Sequence, residues 1–457
     1  MEQVSNLLDN ESLRDKKTWT RRSDRYVHAL HRICSILMIG GLMMDPSWSL
    51  TRKIFSRCLG MIVVCALFVP VTAVIGVLWK CLMNRDQGFE PVFAALTQLP
   101  VVAGVACSAV LFLISASKLS KFNTEFKETA RFAITYTPRI AVRTCYLSWR
   151  QSNTLLNAYL VVDIILDLGW IILAPAFEIY LSYPHVDYGK IHLPLADQNW
   201  GIERTSNFWW ILIMNSTFES LAVIAISLSC GLLPVLCILV EGQLNVLAQS
   251  LRGIQLLQQG SALIIKRPEH SKKLVDPFSG KQSVSKQNNN SLFGNEETEK
   301  IEDFISIKDC IKHHQMILRL VRDMKSFASR FLFLEAVSSI LEIANCAVIA
   351  SVGSKSLSSP LLLFTSLALL IHLIISVWYL MKIRDSCVGI SFTASSMYQS
   401  LPKNLQRDVI PMITRSNCEE KFPCILTSSL TFAPVYQIID LSWNYVTFAS
   451  AIAQKHP

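Results

Sequence analysis

Long apolar runs broken by short polar segments dominate the chain. A spanning helix needs roughly 20 mainly apolar residues. Seven stretches qualify: Ile54 to Leu78, Phe93 to Ala116, Leu155 to Ile179, Trp209 to Leu232, Phe331 to Val352, Leu361 to Met381 and Ile425 to Ala453. An eighth run, Ile33 to Met44, is too short to cross and stops at Asp45-Pro46, so it is expected to be interfacial or re-entrant. Residues 1–26 are polar and lack the apolar core of a signal peptide. The pattern predicts an all-α membrane protein of seven transmembrane helices.

Composition points the same way. Charged residues make up 17% of the chain, against about 25% in soluble domains, and the mean hydropathy is +0.37. The net charge of +9 is spread between the apolar runs rather than gathered into a basic face, so no nucleic-acid partner is expected. Its distribution sets the orientation. Of the 43 Lys and Arg, 37 lie in residues 1–57, 118–150, 248–330 and 382–421. The connections between them carry only Lys80, Arg85, Lys190, Arg204 and Lys355, and Lys455 follows the last span. The positive-inside rule puts the rich side in the cytoplasm. The expected topology is therefore inverted relative to a G-protein-coupled receptor: amino terminus cytoplasmic, carboxyl terminus extracellular. Most of the 13 cysteines then fall in spans or cytoplasmic segments, only Cys81 nearing the outer surface, and no disulfide framework is expected. The sequons at Asn10 and Asn289 are cytoplasmic in this plan and Asn215 lies within a span, so none should carry a glycan.

Five regions result. Residues 1–53 form a cytoplasmic amino terminus with the interfacial helix. Residues 54–247 hold helices one to four, with an outer loop at 182–205 whose Tyr183, His185, Tyr188, His192 and Trp200 suit a lid over the outer mouth. Residues 248–303 are a cytoplasmic, partly disordered insertion, since SGKQSVSKQNNNSLFGNEETEK has too little apolar area to order itself. Residues 304–424 hold an anchor helix, spans five and six and a cytoplasmic segment. Residues 425–457 hold the last span. No phosphate-binding loop, nucleophile elbow, H-E-x-x-H or paired C-x-x-C occurs, so neither an enzyme nor a cofactor is expected.

The last span carries the sharpest pattern. Steps of four and three from Asp440 reach Asn444, Thr447, Ala451 and Gln454, polar or small at each step and on one helix face. Such a stripe cannot face lipid cheaply. It lines a conducting path if several copies turn it inward, or forms a hydrogen-bonded seam against neighbouring spans. Further ionisable groups lie within spans: Asp163, Asp167, Glu219, Glu335, Glu342 and His372. Asp163 and Asp167 share a face, and Asp163 and Glu335 are expected towards cytoplasmic ends, where solvation is easy. A proton-coupled transporter using Asp163, Asp167 and Glu219 would look similar.

The stretch KDCIKHHQMILRL invites a zinc reading. Adjacent His313 and His314 point about 100° apart, and only Cys310 and His314 share a face. Two ligands fall short of the four of a structural zinc site, so no metal is expected. The stretch reads instead as a basic amphipathic helix, Ile307 to Arg330, running into the fifth span. Such helices also suit calmodulin.

Several motifs resemble the insect odorant receptor family. Cys310-Ile311-Lys312-His313-His314-Gln315 is similar to its C-I-x-H-H segment, and Leu401-Pro402-Lys403 and Met412-Ile413-Thr414-Arg415-Ser416 to its stretch before the last span. Ser442-Trp443-Asn444-Tyr445-Val446-Thr447 resembles its S-Y-S-Y-F-T element, with Trp443 and Asn444 as departures. The related gustatory family ends in T-Y, five apolar residues and Q-F; Thr447 to Lys455 fits that spacing with Phe448 for Tyr and Lys455 for the final Phe. The resemblance implies an odour-gated, non-selective cation channel in the plasma membrane of an olfactory neuron dendrite. It implies a heterotetramer of a ligand-tuned subunit with an odorant co-receptor, the last helices forming the pore with Gln454 at its constriction. It also implies an odorant pocket in the outer halves of spans two, three, four and six. Depth and helical spacing then select Phe93, Leu96 and Thr97, Gly169 and Trp170, Trp210, Met214 and Phe218, and Phe364 and Leu367 as lining residues. This apolar, aromatic set suits a small volatile molecule.

Overall fold

The computed structural model describes residues 49–83, 90–183, 206–265, 306–352, 358–399 and 401–417. In the last segment it describes 436–437, 439–441, 443–444 and 447. The interfacial helix expected at 33–44, the loop at 184–205, residues 266–305 of the insertion, and Ala451 and Gln454 lie outside the described residues.

The described elements are helices: α1 Leu50–Met83, α2 Glu90–Tyr136, α3 Pro138–Leu168, a π turn Gly169–Leu173, α4 Ala174–Ser182, α5 Phe208–Ile265, α6 Ile307–Val352, α7 Ser358–Tyr398 and α8 Lys403–Asn417. The described residues of the last segment are helical too. The first six expected spans fall in turn within α1, α2, α3 to α4, α5, α6 and α7. Among the described residues four stretches are long and apolar enough to cross a membrane: Val102–Tyr136, Ile140–Phe177, Phe208–Leu256 and Leu363–Tyr398. The chain is an all-α, multi-pass membrane protein.

Proline explains two of the breaks. Pro138 has no N–H to continue α2, and its fixed φ suits the first turn of the helix it starts, so α2 ends and α3 begins around Thr137. Pro175 stands four residues after Ile171, whose carbonyl its ring would strike in a regular helix. The backbone widens into the π turn just before it.

Helix length separates membrane from anchor. At 1.5 Å per residue, the 58 residues of α5 reach about 87 Å and the 47 of α2 about 70 Å, against a hydrocarbon core of about 30 Å. The excess gathers at the basic end of the bundle, with α6 beside α2. There Leu119, Phe122, Phe126, Leu247, Leu251, Ile317, Leu320, Val321 and Met324 form a buried core. The insertion was expected to begin at 248, yet α5 runs on to Ile265, because Leu251 and Ile254 continue its apolar stripe into this core.

α5 is the axis of the fold. Leu232, Leu233, Val235, Leu236, Cys237, Ile238, Leu239 and Val240 are all buried, which means every face of that stretch is covered. α2, α3, α6 and α7 supply the cover. α8 closes the basic end by turning Val409, Met412 and Ser416 inward, one stripe at steps of three and four.

Candidate functional site

Two adjacent carboxylates of α3 meet two serines of α5. Asp163 and Asp167 stand one turn apart and face α5, which runs antiparallel. Ser227 Oγ donates to Asp163 Oδ2 at 2.6 Å, and Ser220 Oγ donates to Asp167 Oδ2 at 3.2 Å. From α7, His372 brings Nε2 to 3.9 Å from Asp163 Oδ1 and sets its ring edge-on to Tyr159, centroids 4.3 Å apart. Ser376, one turn on, donates to Glu335 Oε1 of α6 at 3.5 Å. Tyr159 is within electrostatic range of Glu335, Asp163 and Cys230. A polar seam thus joins α3, α5, α6 and α7 inside the bundle.

The seam corrects one expectation. Asp163 was placed where solvation is easy, yet it is only 7% exposed. Ser227 of α5 and His372 of α7 close over it, so protein rather than water surrounds it. The serines and Tyr159 were overlooked. The seven-residue repeat from Ser220 to Ser227, two turns on one face, was the available signal. Asn215 was noticed only as a sequon; it is 1% exposed, which leaves no room for a glycan.

The predicted lining residues lie at the far end from the anchor. Gly169 is buried at the start of the π turn, and Met214 and Phe218 are half-buried on the facing helix. Trp210, Phe364 and Leu367 stand exposed on the isolated chain. Phe93, Leu96 and Thr97 fall in the first turns of α2 and Trp170 in the π turn; their side chains lie outside the description. The helices that carry this set, α2, α3 and α7, all pack on α5. In the last segment Asp440, Asn444 and Thr447 are exposed on the single chain.

The histidine pair belongs to the anchor. His313 is fully buried between α2 and α5. The Tyr136 hydroxyl donates to its Nδ1 at 2.5 Å, and its Nε2–H donates to Gln243 Oε1 at 3.2 Å. Gln243 Nε2 then donates to Cys145 Sγ of α3 at 3.4 Å. His314 turns the other way, to Ser416 Oγ of α8 at 2.7 Å. Burial, with the neighbouring His314, lowers His313 to about 3. Burial and Arg415 lower His314 to about 4. Burial and Asp309 push Cys310 up to about 12. These are neutral packing groups, and among the described residues no three His, Cys, Asp or Glu gather to hold a metal ion.

Comparison with known proteins agrees with this architecture. The fold is similar to the insect olfactory receptor OR5 from Machilis hrabei, with a TM-score of 0.68, 13% identity, and 93% of this chain and 98% of that one covered. The same receptor in complex with eugenol gives a TM-score of 0.66 and 12% identity over 93% and 99% of the two chains. No curated protein matches the chain by sequence. The family model described as 7tm Odorant receptor matches residues 95–400, two thirds of the chain, from within α2 through the end of α7. The chain therefore belongs to the 7tm odorant receptor family: it is a transmembrane receptor of olfaction, and not an enzyme.

Proposed function

We propose that this receptor is the ligand-tuned subunit of an odour-gated, non-selective cation channel, with seven spans, a cytoplasmic amino terminus and an extracellular carboxyl terminus. It acts with an odorant co-receptor in a heterotetramer at the plasma membrane of the olfactory neuron dendrite. A small volatile molecule enters among Gly169, Trp170, Met214 and Phe218, joined by Phe93, Leu96, Thr97, Trp210, Phe364 and Leu367. Burying it yields about 25 cal/mol per Å² of apolar surface. Opening follows only from tighter binding to the open state than to the closed one. The relative solved with eugenol supports a small aromatic ligand of this size class.

One observation carries the pore. Asp440, Asn444 and Thr447 stand exposed on the single chain, and so do Tyr436, Ile439, Leu441 and Trp443 around them. Where the described residues of this segment are uncovered by their own subunit on both polar and apolar sides, lipid suits the apolar side and a wet path suits the polar one. Four such stripes around an axis make that wet path, with Ala451 and Gln454 continuing it.

The test is current recorded from cells expressing the chain with and without the co-receptor while volatile compounds are applied. Ligand-evoked current that needs both subunits supports the reading. Saturable uptake of a compound without current would replace it with a transporter.

A further inference from the structure

The spans around Asp167 and Glu219 hold carboxylates and, by sequence, no Lys or Arg to balance them. Between Arg150 and Lys190 on the third span, and between Arg204 and Arg252 on α5, there is no Lys or Arg; the same holds between Arg85 and Lys118 and between Lys355 and Lys382. Yet Asp167 and Glu219 lie close enough for their charges to act on each other. Asp167 is 8% exposed, and Ser220 satisfies only its Oδ2. Its Oδ1 is buried without a hydrogen-bond partner among the described residues, and so is Glu219 Oε2. One turn before Glu219 on the same face of α5 stands Asn215, 1% exposed, with neither Oδ1 nor Nδ2 hydrogen-bonded among the described residues. His372, the nearby basic side chain, is engaged with Asp163 one turn inward.

Buried polar groups without partners are costly, and buried carboxylates more so. Three unpartnered acceptor atoms, Asp167 Oδ1, Glu219 Oε2 and Asn215 Oδ1, are well matched by a cation with several N–H groups. These residues stand at the depth of the predicted lining residues along the helices. Asp167 lies two positions before Gly169, and Asn215 and Glu219 each adjoin a predicted lining residue, Met214 and Phe218. We infer that Asp167, Glu219 and Asn215 form the polar floor of the odorant pocket and bind the protonated head of an amine ligand whose apolar body fills the space above. The inference rests on the pocket proposed above, since without an apolar cavity beside it the amine has nowhere to put its body.

The experiment compares three compounds of one shape: 2-phenylethylamine, 2-phenylethanol and ethylbenzene. Each is applied to cells expressing the receptor with its co-receptor, and separately to the purified full-length receptor in a thermal-unfolding assay. The amine should be more potent than either analogue by about tenfold or more, the scale of one charge-assisted hydrogen bond. It alone should raise the unfolding midpoint clearly. In Asp167→Asn with Glu219→Gln the potency ratio should fall towards one; should that variant not fold, the comparison of the three ligands on the native chain decides. Equal responses to all three, or a preference for the alcohol, would overturn the inference while leaving the odorant pocket intact. Stabilisation by the amine with no current from any compound would keep the polar floor and remove the channel reading. No stabilisation and no current would remove both.

Discussion

His313 shows how much depends on one side chain. It is hydrogen-bonded on both ring nitrogens to groups 177 and 70 residues away in sequence. Because Gln243 Oε1 only accepts, Nε2 must carry the proton and Nδ1 must receive the Tyr136 hydroxyl's. His313→Ala strands both partners in a buried site, at about 1–3 kcal/mol each. The unfolding midpoint of the purified receptor should fall by several degrees, and His313→Gln should recover part of the loss. The pair also has a pH signature. Both histidines are held below their ordinary value of 6.5, so above it neither state binds a proton and the pair contributes nothing to pH dependence. As pH falls below 6.5 the unfolded chain takes up protons that the native chain refuses until about pH 4 to 3. At pH 5 the loss is about 2 kcal/mol per histidine. A midpoint flat from pH 7 to pH 5, measured alongside His313→Gln, would rule out the buried neutral pair. Sequence alone argued against a metal shared by the pair, because adjacent helical positions diverge. It did not name the partners, because those are fixed by how distant helices dock.

At the scale of elements, close approach between α3 and α5 decides what the bundle tolerates. A Cβ built at Gly242 would collide with Ser148 Oγ and come to 2.9 Å from Ser148 Cβ. Gly104 stands in a similar contact with Ser338, its added Cβ meeting Ser338 Oγ at 2.6 Å. Gly242→Ala should force α3 off α5 and cost about 1–3 kcal/mol, read as reduced surface expression and a lower unfolding midpoint. Gly253→Ala and Gly389→Ala make a matched control, since nothing lies within 4 Å of a Cβ there. They should be neutral or stabilise by about 0.4–1 kcal/mol through reduced freedom of the unfolded chain. Equal losses at all three positions would show that close approach is not the cause. The helices themselves were legible as apolar runs. Their lengths were not, because hydropathy does not distinguish a residue covered by lipid from one covered by protein. The fourth span was expected to end at Leu232, yet Leu233 to Val240 are all buried as well. The π turn was illegible for a related reason: Pro175 signals a disturbance, but only packing decides whether the helix breaks, kinks or widens.

For the whole molecule, orientation and pore stand or fall on separate measurements. On the proposed seven-span plan 37 of the 43 Lys and Arg fall on one side, and the extended basic end, with Lys121 bridging to Asp323 at 3.0 Å and Lys382 to Glu241 at 3.2 Å, gives many of those charges a folded home. A tag at the carboxyl terminus should be labelled on intact cells, and a tag at the amino terminus only after permeabilisation. The reverse pattern would invert every depth assignment made for the pocket. The pore is tested independently of the ligand's identity. Asp440 is the one acidic residue on the proposed pore stripe, so Asp440→Asn removes one carboxyl group per subunit from the proposed conducting path and leaves the proposed pocket residues unchanged. Relative permeability to divalent over monovalent cations should drop, and the half-maximal odorant concentration should stay within about twofold, a shift of less than 0.5 kcal/mol. Phe218→Ala should do the opposite, shifting potency and leaving permeability ratios alone. If Asp440→Asn moves potency but not permeability, the stripe is a packing seam between helices that biases gating, and the conducting path must be sought elsewhere in the bundle.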